Sequence, residues 1–310
     1  MYVVGGWQAM VVRQQRRGGG ALAVCALAVA GVMTLVGGCT GPGGDGKDGG
    51  DGGDGAGRRA VAVDDPAGPP VAVVRRAAEK LTAAGSAGTR TSMETAAGGT
   101  RVTIRGEGAY DFRRQLGRIK VVLPKDAAGS DEHRPITELL APGALYMKNR
   151  GAGVPADKWV RIDTTTLEDG NLVTGGVTDP MASAELLRGA DEVTYVGTTE
   201  LAGVTVRHYR GVADIGRAAR AASPSSRGAL GAAAKGFSTD SVPFDAYLDD
   251  EGLLRKVRHR FTFATEGPAV AVVSTMLLYG FGVPVPVRLP PGADIYTGQV
   301  EQGRSGPETP

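Results

Sequence analysis

Polar and apolar residues alternate one by one along much of this 310-residue chain, first in the segment TRVTIRGEGAYDF at positions 100–112. A side-chain period of two is the period of a β-strand, so this segment predicts a strand with one dry face and one wet face. Two glycines, Gly106 and Gly108, fall on the dry face, where they mark either a bend or the close approach of another group. The apolar residues of that face are Val102, Ile104, Tyr110 and Phe112.

Six further segments are typical of strands, and two of them contain the turn of a hairpin. One turn is expected at Ala202–Gly203 and the other at Asp249–Gly252, where small and acidic residues interrupt the alternation. The segments lie at 116–124, 144–149, 158–163, 192–214, 242–264 and 269–281.

Three segments predict helices. The segment at 69–86 begins with proline and stops at Gly85, and a second helix begins at Asp179-Pro180 with a cap and a first-turn proline. A third opens after Asp214 as an alanine-rich helix, which we expect Pro224 and Gly228 to break into a loop. This order predicts an α+β fold, with one large, mostly antiparallel sheet and helices available to cover one of its faces.

The amino-terminal region resembles a bacterial lipoprotein signal. Arg13, Arg16 and Arg17 precede an apolar stretch of 18 residues that ends immediately before Cys39. A positive start followed by an apolar middle is typical of a secretory signal, whereas an uncleaved transmembrane anchor is the alternative. The sequence VGGC at 36–39 resembles the lipobox, which implies that Cys39 is diacylated and becomes the first residue after cleavage.

The segment after Cys39 is composed mainly of Gly, Asp, Ala and Pro and predicts a flexible tether. Aspartates recur at every third position, but without the ligand pattern of a known calcium loop, so a solvated tether is favoured over a metal site. A chain of this length spans roughly 30 Å, enough to hold a domain away from a bilayer. The predicted regions are a signal peptide at 1–38, a tether at 39–70, one folded domain at 71–297 and a disordered tail at 298–310.

Charge and cysteine content exclude several classes of function. The formal net charge is +2, so a nucleic-acid partner is not expected. The two cysteines, Cys25 and Cys39, precede the folded part, which therefore lacks disulfides and cysteine metal sites. No nucleophile-elbow, zinc-helix or phosphate-loop motif occurs after Cys39, so neither a cofactor nor a metal is expected. His133 is expected to be solvated, and His208 and His259 are expected to be core or rim residues in preference to the alternative, the polar lining of a cavity.

From Val71 to Tyr296 the order of these segments resembles the LolA-like superfamily of envelope lipoproteins, specifically its LppX–LprG-type branch. The resemblance rests on the lipobox, the acidic glycine-rich linker, the entry helix, the helix and hairpin at 179–214, the hairpin at 242–263 and the terminal segment YGFGVPVPVRLPPGADIY. It implies a strongly bent antiparallel sheet, a half-barrel whose concave face is covered by helices. Several members hold lipid or acylated glycolipid there, and related members sense envelope stress through a protein partner.

The function predicted from this resemblance is that of a membrane-anchored extracytoplasmic lipoprotein which binds or carries a lipid or acylated ligand, rather than an enzyme. The alternatives are an envelope sensor or scaffold that acts through a protein partner and, more remotely, a hydrolase of envelope polymers. Whether the concave face encloses a cavity or is simply a packed core stays open at this point. The predicted cavity-lining residues are Val102, Ile104, Tyr110, Phe112, Val257, Phe261 and Phe263.

Overall fold

The structure is a computed structural model that describes residues 65, 67–97, 100–124, 134–151, 153–174, 178–263 and 270–297. Cys39 and His133 lie outside these residues, so the predictions made for them are not addressed by the structure.

The described residues form one open antiparallel sheet of eleven strands, which confirms the predicted α+β class. The spatial order is β6-β5-β4-β3-β2-β1-β11-β10-β9-β8-β7, so the first and last strands are neighbours in the middle of the sheet. The strands are β1 Ser86–Ala97, β2 Thr100–Asp111, β3 Leu116–Val122, β4 Ile136–Ala141, β5 Ala144–Lys148, β6 Trp159–Asp163, β7 Ala190–Leu201, β8 Val204–Asp214, β9 Ser241–Leu248, β10 Leu254–Phe263 and β11 Val270–Tyr279.

The hairpin turns form where the sequence predicts them. β7 and β8 are joined at Ala202 and Gly203, which both have positive φ angles of 50° and 79°. Two residues with positive φ give the turn a twist that matches the twist of the flanking strands. The turn between β9 and β10 is held by Asp249, whose carboxylate accepts hydrogen bonds from the backbone N–H groups of Glu251 and Leu253.

Five α-helices are present in the described part of the chain, and they differ from the prediction in two places. The single helix expected at 69–86 is a pair of helices that meet at Arg76. Pro224 begins a helix instead of ending one, because proline is well suited to the first helical turn. The helices are α1 Pro70–Arg75, α2 Ala77–Ala84, α3 Pro180–Leu186, α4 Ile215–Ala221 and α5 Pro224–Gly236.

The sheet is curved, and these five helices cover its concave face together with Leu172 and Thr178 from the segment that precedes α3; we call them the helical cover. Leu81 of α2, Met181 of α3 and Leu230 of α5 belong to the same buried cluster as Ile119 and Phe244 of the sheet. Sheet and cover therefore share one hydrophobic core, which is the layer arrangement expected of a one-sided sheet.

The structure distinguishes between the two roles that the sequence predicts for Gly108, a bend in the strand or the close approach of another group. A Cβ atom at this position would overlap the carbonyl oxygen of Arg118 and lie 2.8 Å from the Cα atom of Ile119. The glycine therefore permits the close approach of β3 and does not leave space for a ligand.

The carboxyl-terminal segment protects one edge of the sheet. It leaves the end of β11, where the N–H of Gly282 donates to the carbonyl of Ser86 at 2.9 Å. At its far end Ile295 forms a parallel bridge with Trp159 of the edge strand β6, and the N–H of Tyr296 donates to the Trp159 carbonyl at 2.8 Å. Unpaired edge strands invite association with other chains, so this contact shields β6.

Candidate functional site

The predicted lining residues lie in the interface between the concave face and the helical cover. Ile104, Tyr110 and Phe112 of β2 are at most 3% exposed, and Val257 and Phe261 of β10 are at most 2% exposed. All five belong to one hydrophobic cluster, and Val102 packs against that cluster while partly buried. Phe263 ends β10, and its side chain lies outside the described part of the structure. In the closed protein these residues are packed core, and their role as lining of an opened cavity stays a prediction.

A row of hydrogen-bonding side chains interrupts this apolar face, and we call it the polar seam. Its members point to the concave side by strand alternation, and each is at most 6% exposed. Polar groups buried this completely are expected to have hydrogen-bond partners. The seam consists of Glu138 on β4, Thr89 and Thr91 on β1, Ser274 on β11 and His259 on β10.

At one end of the seam the side chains are bonded to the cover. The hydroxyls of Ser274 and Thr178 lie 2.6 Å apart, and Thr178 also donates to the Leu172 carbonyl. His259 Nδ1 lies 3.3 Å from the hydroxyl of Ser183 on α3, while Nε2 has no partner. Burial lowers the pKa of His259 to about 3, so the imidazole is neutral at physiological pH.

At the other end of the seam Glu138 has no such support. It pairs directly with Ile119 on β3 and Met147 on β5, two members of the core, and its exposure is 0%. Neither carboxyl oxygen has a hydrogen-bond partner. Burial raises the pKa of Glu138 to about 8, although the nearby Arg150 guanidinium opposes the rise. The side chain is therefore a neutral carboxylic acid at pH 7.

The two threonines of the seam resemble Glu138 in this respect. The hydroxyls of Thr89 and Thr91 are buried and have no hydrogen-bond partner. On β2 they pair with Gly108 and Gly106, which carry no side chain. At this end of the seam the two hydroxyls therefore have no side chain opposite them on β2, where the sheet presents only backbone to the cover.

A small pocket opens beside this interface, at the end of the sheet where α3 and α5 begin. Its volume is about 40 Å³, close to the space of one water molecule. Tyr110 lines it and its hydroxyl donates to Asp179 Oδ2 at 3.4 Å, while burial and this carboxylate raise the pKa of Tyr110. Asn171 also lines it, and its buried side-chain oxygen has no partner. The pocket is far too small for an acyl chain.

One wall of this pocket, formed by Gly170 and Asn171, belongs to a loop that is held by hydrogen bonds. The carboxylate of Asp169 accepts hydrogen bonds from the backbone N–H groups of Asn171, Val173 and Thr174 and from the Thr174 hydroxyl, at 2.6–3.1 Å.

In the described residues no helix has the length and apolar character needed to cross a membrane, and no cluster of metal-ligating side chains forms.

Comparison with known proteins gives similarity of structure only. No protein-family model matches the chain, and no curated protein sequence matches it. Among solved structures, it is similar to the lipoprotein LppX of Mycobacterium tuberculosis, at 12% identity over 73% of this chain and 100% of that one, with a TM-score of 0.42. A LolA-superfamily protein of Nitrosomonas europaea matches at 12% identity over 68% and 94%, with a TM-score of 0.33.

A third match is the MucA/MucB complex of Pseudomonas aeruginosa, at 14% identity and a TM-score of 0.31. It covers 74% of this chain and 64% of the matched one. Similarity at these levels carries no information about what this chain binds.

Sequence reasoning missed the seam residues Glu138, Thr89, Thr91 and Ser274, and for Glu138 a signal was present. In the segment ITELLA an alternation of two places Ile136, Glu138 and Leu140 on one face. An acid between two apolar residues on the buried face of a strand is a candidate for a functional group, because it is not tolerated there for packing alone.

Proposed function

We propose that this protein is a lipoprotein, anchored through Cys39 to the extracytoplasmic face of the cell membrane, which binds an acylated ligand between the concave face of the sheet and the helical cover. The polar seam carries the proposal. A core that serves only stability pairs its buried polar groups, whereas this interface holds Glu138, Thr89 and Thr91 without partners. Such groups are expected where a second molecule or water enters.

Ligand binding then requires the cover to separate from the sheet. The pocket of about 40 Å³ compares with roughly 300 Å³ or more in sites that enclose small molecules. The cover is made of short pieces, and its longest helix, α5, has 13 residues. Each methylene buried against the apolar face contributes about 0.8 kcal/mol, so a long acyl chain offsets the loss of contacts between cover and sheet.

A disulfide across this interface tests the proposal. The hydroxyls of Thr178 and Ser274 are 2.6 Å apart, so the double variant Thr178→Cys/Ser274→Cys brings two thiols together. The full chain with Cys25→Ser and Cys39→Ser then contains no other thiol. We expect the oxidised variant to take up a fluorescent palmitoyl probe at least about tenfold more weakly than the reduced one, a difference of about 1.4 kcal/mol.

The two single-cysteine variants are the controls, and oxidant should leave their uptake unchanged. Equal uptake by the oxidised and reduced double variant contradicts a ligand site under the cover. If a stoichiometric membrane protein partner is also retained by the locked variant, the sensor or scaffold alternative is favoured instead.

The anchor is tested separately. In the bacterial host, Cys39→Ser should abolish labelling with a radioactive fatty acid and release the protein from the membrane fraction, because a single uncleaved apolar segment of 18 residues is at the lower limit for spanning. Unchanged processing and membrane association of this variant exclude the anchor.

A further inference from the structure

We propose that Glu138 binds a hydroxyl group of the ligand, so that the ligand is a hydroxylated amphiphile and not a plain hydrocarbon chain. The inference rests on the proposed function, since it assigns a polar contact within the same interface.

Glu138 is unlike the other buried carboxylates of the described residues. Asp169 accepts four hydrogen bonds, Asp245 contacts three basic side chains, and Asp249 bonds to Arg255 and two backbone N–H groups. Glu185 contacts Arg188 and the N–H of Ser223 through one oxygen. Each of these four has a structural role, whereas both oxygens of Glu138 are without a hydrogen-bond partner.

Glu138 has apolar neighbours on both adjoining strands, the Arg150 guanidinium nearby and polar groups further along the seam. Ile119 and Met147 are its direct neighbours on the adjoining strands. Beyond Ile119 the same row continues with Gly108 and then Thr89, whose hydroxyl is also unpaired. Neighbouring strands are about 4.8 Å apart, so Glu138 and Thr89 are separated by roughly 14 Å. An amphiphile lying across the strands can meet both groups while its chain covers the apolar residues between them.

The chemistry of a neutral carboxylic acid fits a hydroxyl group. A protonated carboxyl donates one hydrogen bond and accepts others, and a hydroxyl does the same, so the two can form a reciprocal pair. Burial keeps Glu138 protonated near neutral pH, as its pKa of about 8 indicates.

Two probes of equal chain length separate this proposal from general lipid binding. Monopalmitoylglycerol carries two hydroxyls, whereas methyl palmitate carries none. We expect the wild-type full chain to bind monopalmitoylglycerol about tenfold more tightly, measured by displacement of a fluorescent palmitoyl probe. Glu138→Met should remove this preference and leave the affinity for methyl palmitate unchanged. Leu139→Met is the matched control and should retain the preference, because Leu139 is buried on the same strand but alternation places it on the opposite face, outside the concave cluster.

An infrared measurement keeps the test decisive where the Met variant does not fold. Monopalmitoylglycerol should shift the carboxyl C=O stretching band of the wild type, methyl palmitate should not, and Glu138→Gln should lack the band altogether.

The outcomes distinguish the two proposals. If the wild type binds neither probe, the proposed function itself fails. If it binds both equally, with no shift of the carboxyl band, Glu138 is not a ligand contact, although the lipid-binding function stands.

Discussion

The two ends of the polar seam hold similar polar side chains, but these have hydrogen-bond partners at one end and none at the other. At the His259 end, Ser274 and the imidazole Nδ1 are bonded to Thr178 and Ser183 of the cover. At the Glu138 end, the carboxyl and the hydroxyls of Thr89 and Thr91 face the same interface without partners. One end therefore fastens the cover to the sheet, and the other keeps hydrogen-bonding capacity unused.

The largest expected difference between the two ends is in how the free energy of unfolding depends on pH. We consider the contribution of Glu138 first. Its pKa is about 8 in the folded protein against 4.5 in the unfolded chain. The folded state then holds the extra proton, so the free energy of unfolding falls as pH rises from 4.5 to 8. Between pH 6.5 and 8 this loss should reach about 2 kcal/mol, at about 1.4 kcal/mol for each pH unit. Urea denaturation of wild type and Glu138→Gln measures it, and the variant should be flat over this range.

His259 produces the opposite slope at lower pH. Its pKa is about 3 when folded against 6.5 when unfolded, so the unfolded chain binds the extra proton between these values. Stability contributed by this group is complete above pH 6.5 and is lost as pH falls towards 3. Between pH 4.5 and 3, where Glu138 no longer compensates, we expect a loss of about 2 kcal/mol.

The variant His259→Asn should reduce this acid loss relative to wild type, while Glu138→Gln should not. An identical acid limb in wild type and His259→Asn means that the imidazole is already charged in the folded protein.

The smallest effect concerns single hydroxyls at the two ends. Ser274→Ala removes the bond to Thr178 and should lower the free energy of unfolding by about 1 kcal/mol. Thr91→Val has nearly the same shape as the wild type and removes no hydrogen bond, so it should be neutral or slightly stabilising. Equal losses in the two variants, measured by thermal unfolding, mean that Thr91 has a partner after all and that the ends are alike.

Most of the sheet could be predicted from the sequence because its information is local, although β1 and β4 were not predicted as strands. The alternation around Ile104 and Tyr110 fixes which residues face the core, and the turn residues at 202–203 and 249–252 fix two of its hairpins. The helix that begins at Pro224 was predicted wrongly, because proline acts as a breaker inside a helix and as a starter at its first turn, and the sequence does not say which applies.

The candidate site could be predicted only in part, because it depends on contacts between distant residues. The dry faces of β2 and β10 were recognisable, and Ile104 and Phe261 do share one cluster. The partners of Ser274 and His259 come from the cover, far away in sequence, so the bonded end could not be foreseen. The sequence could not show that Glu138 lacks a hydrogen-bond partner, because this depends on how all the surrounding side chains pack.

The adjacency of β1 and β11 has a consequence for the order of events during biogenesis. β1 can pair with β11 only after β11 has been synthesised, since Gly88 pairs with Tyr279 and almost the whole domain lies between them. Pairings so remote in sequence slow folding, because loop closure precedes the contacts that reward it. The central pairing of the sheet can therefore form only after nearly the whole domain has been synthesised, whereas the pairings from β2 to β6 are between consecutive strands.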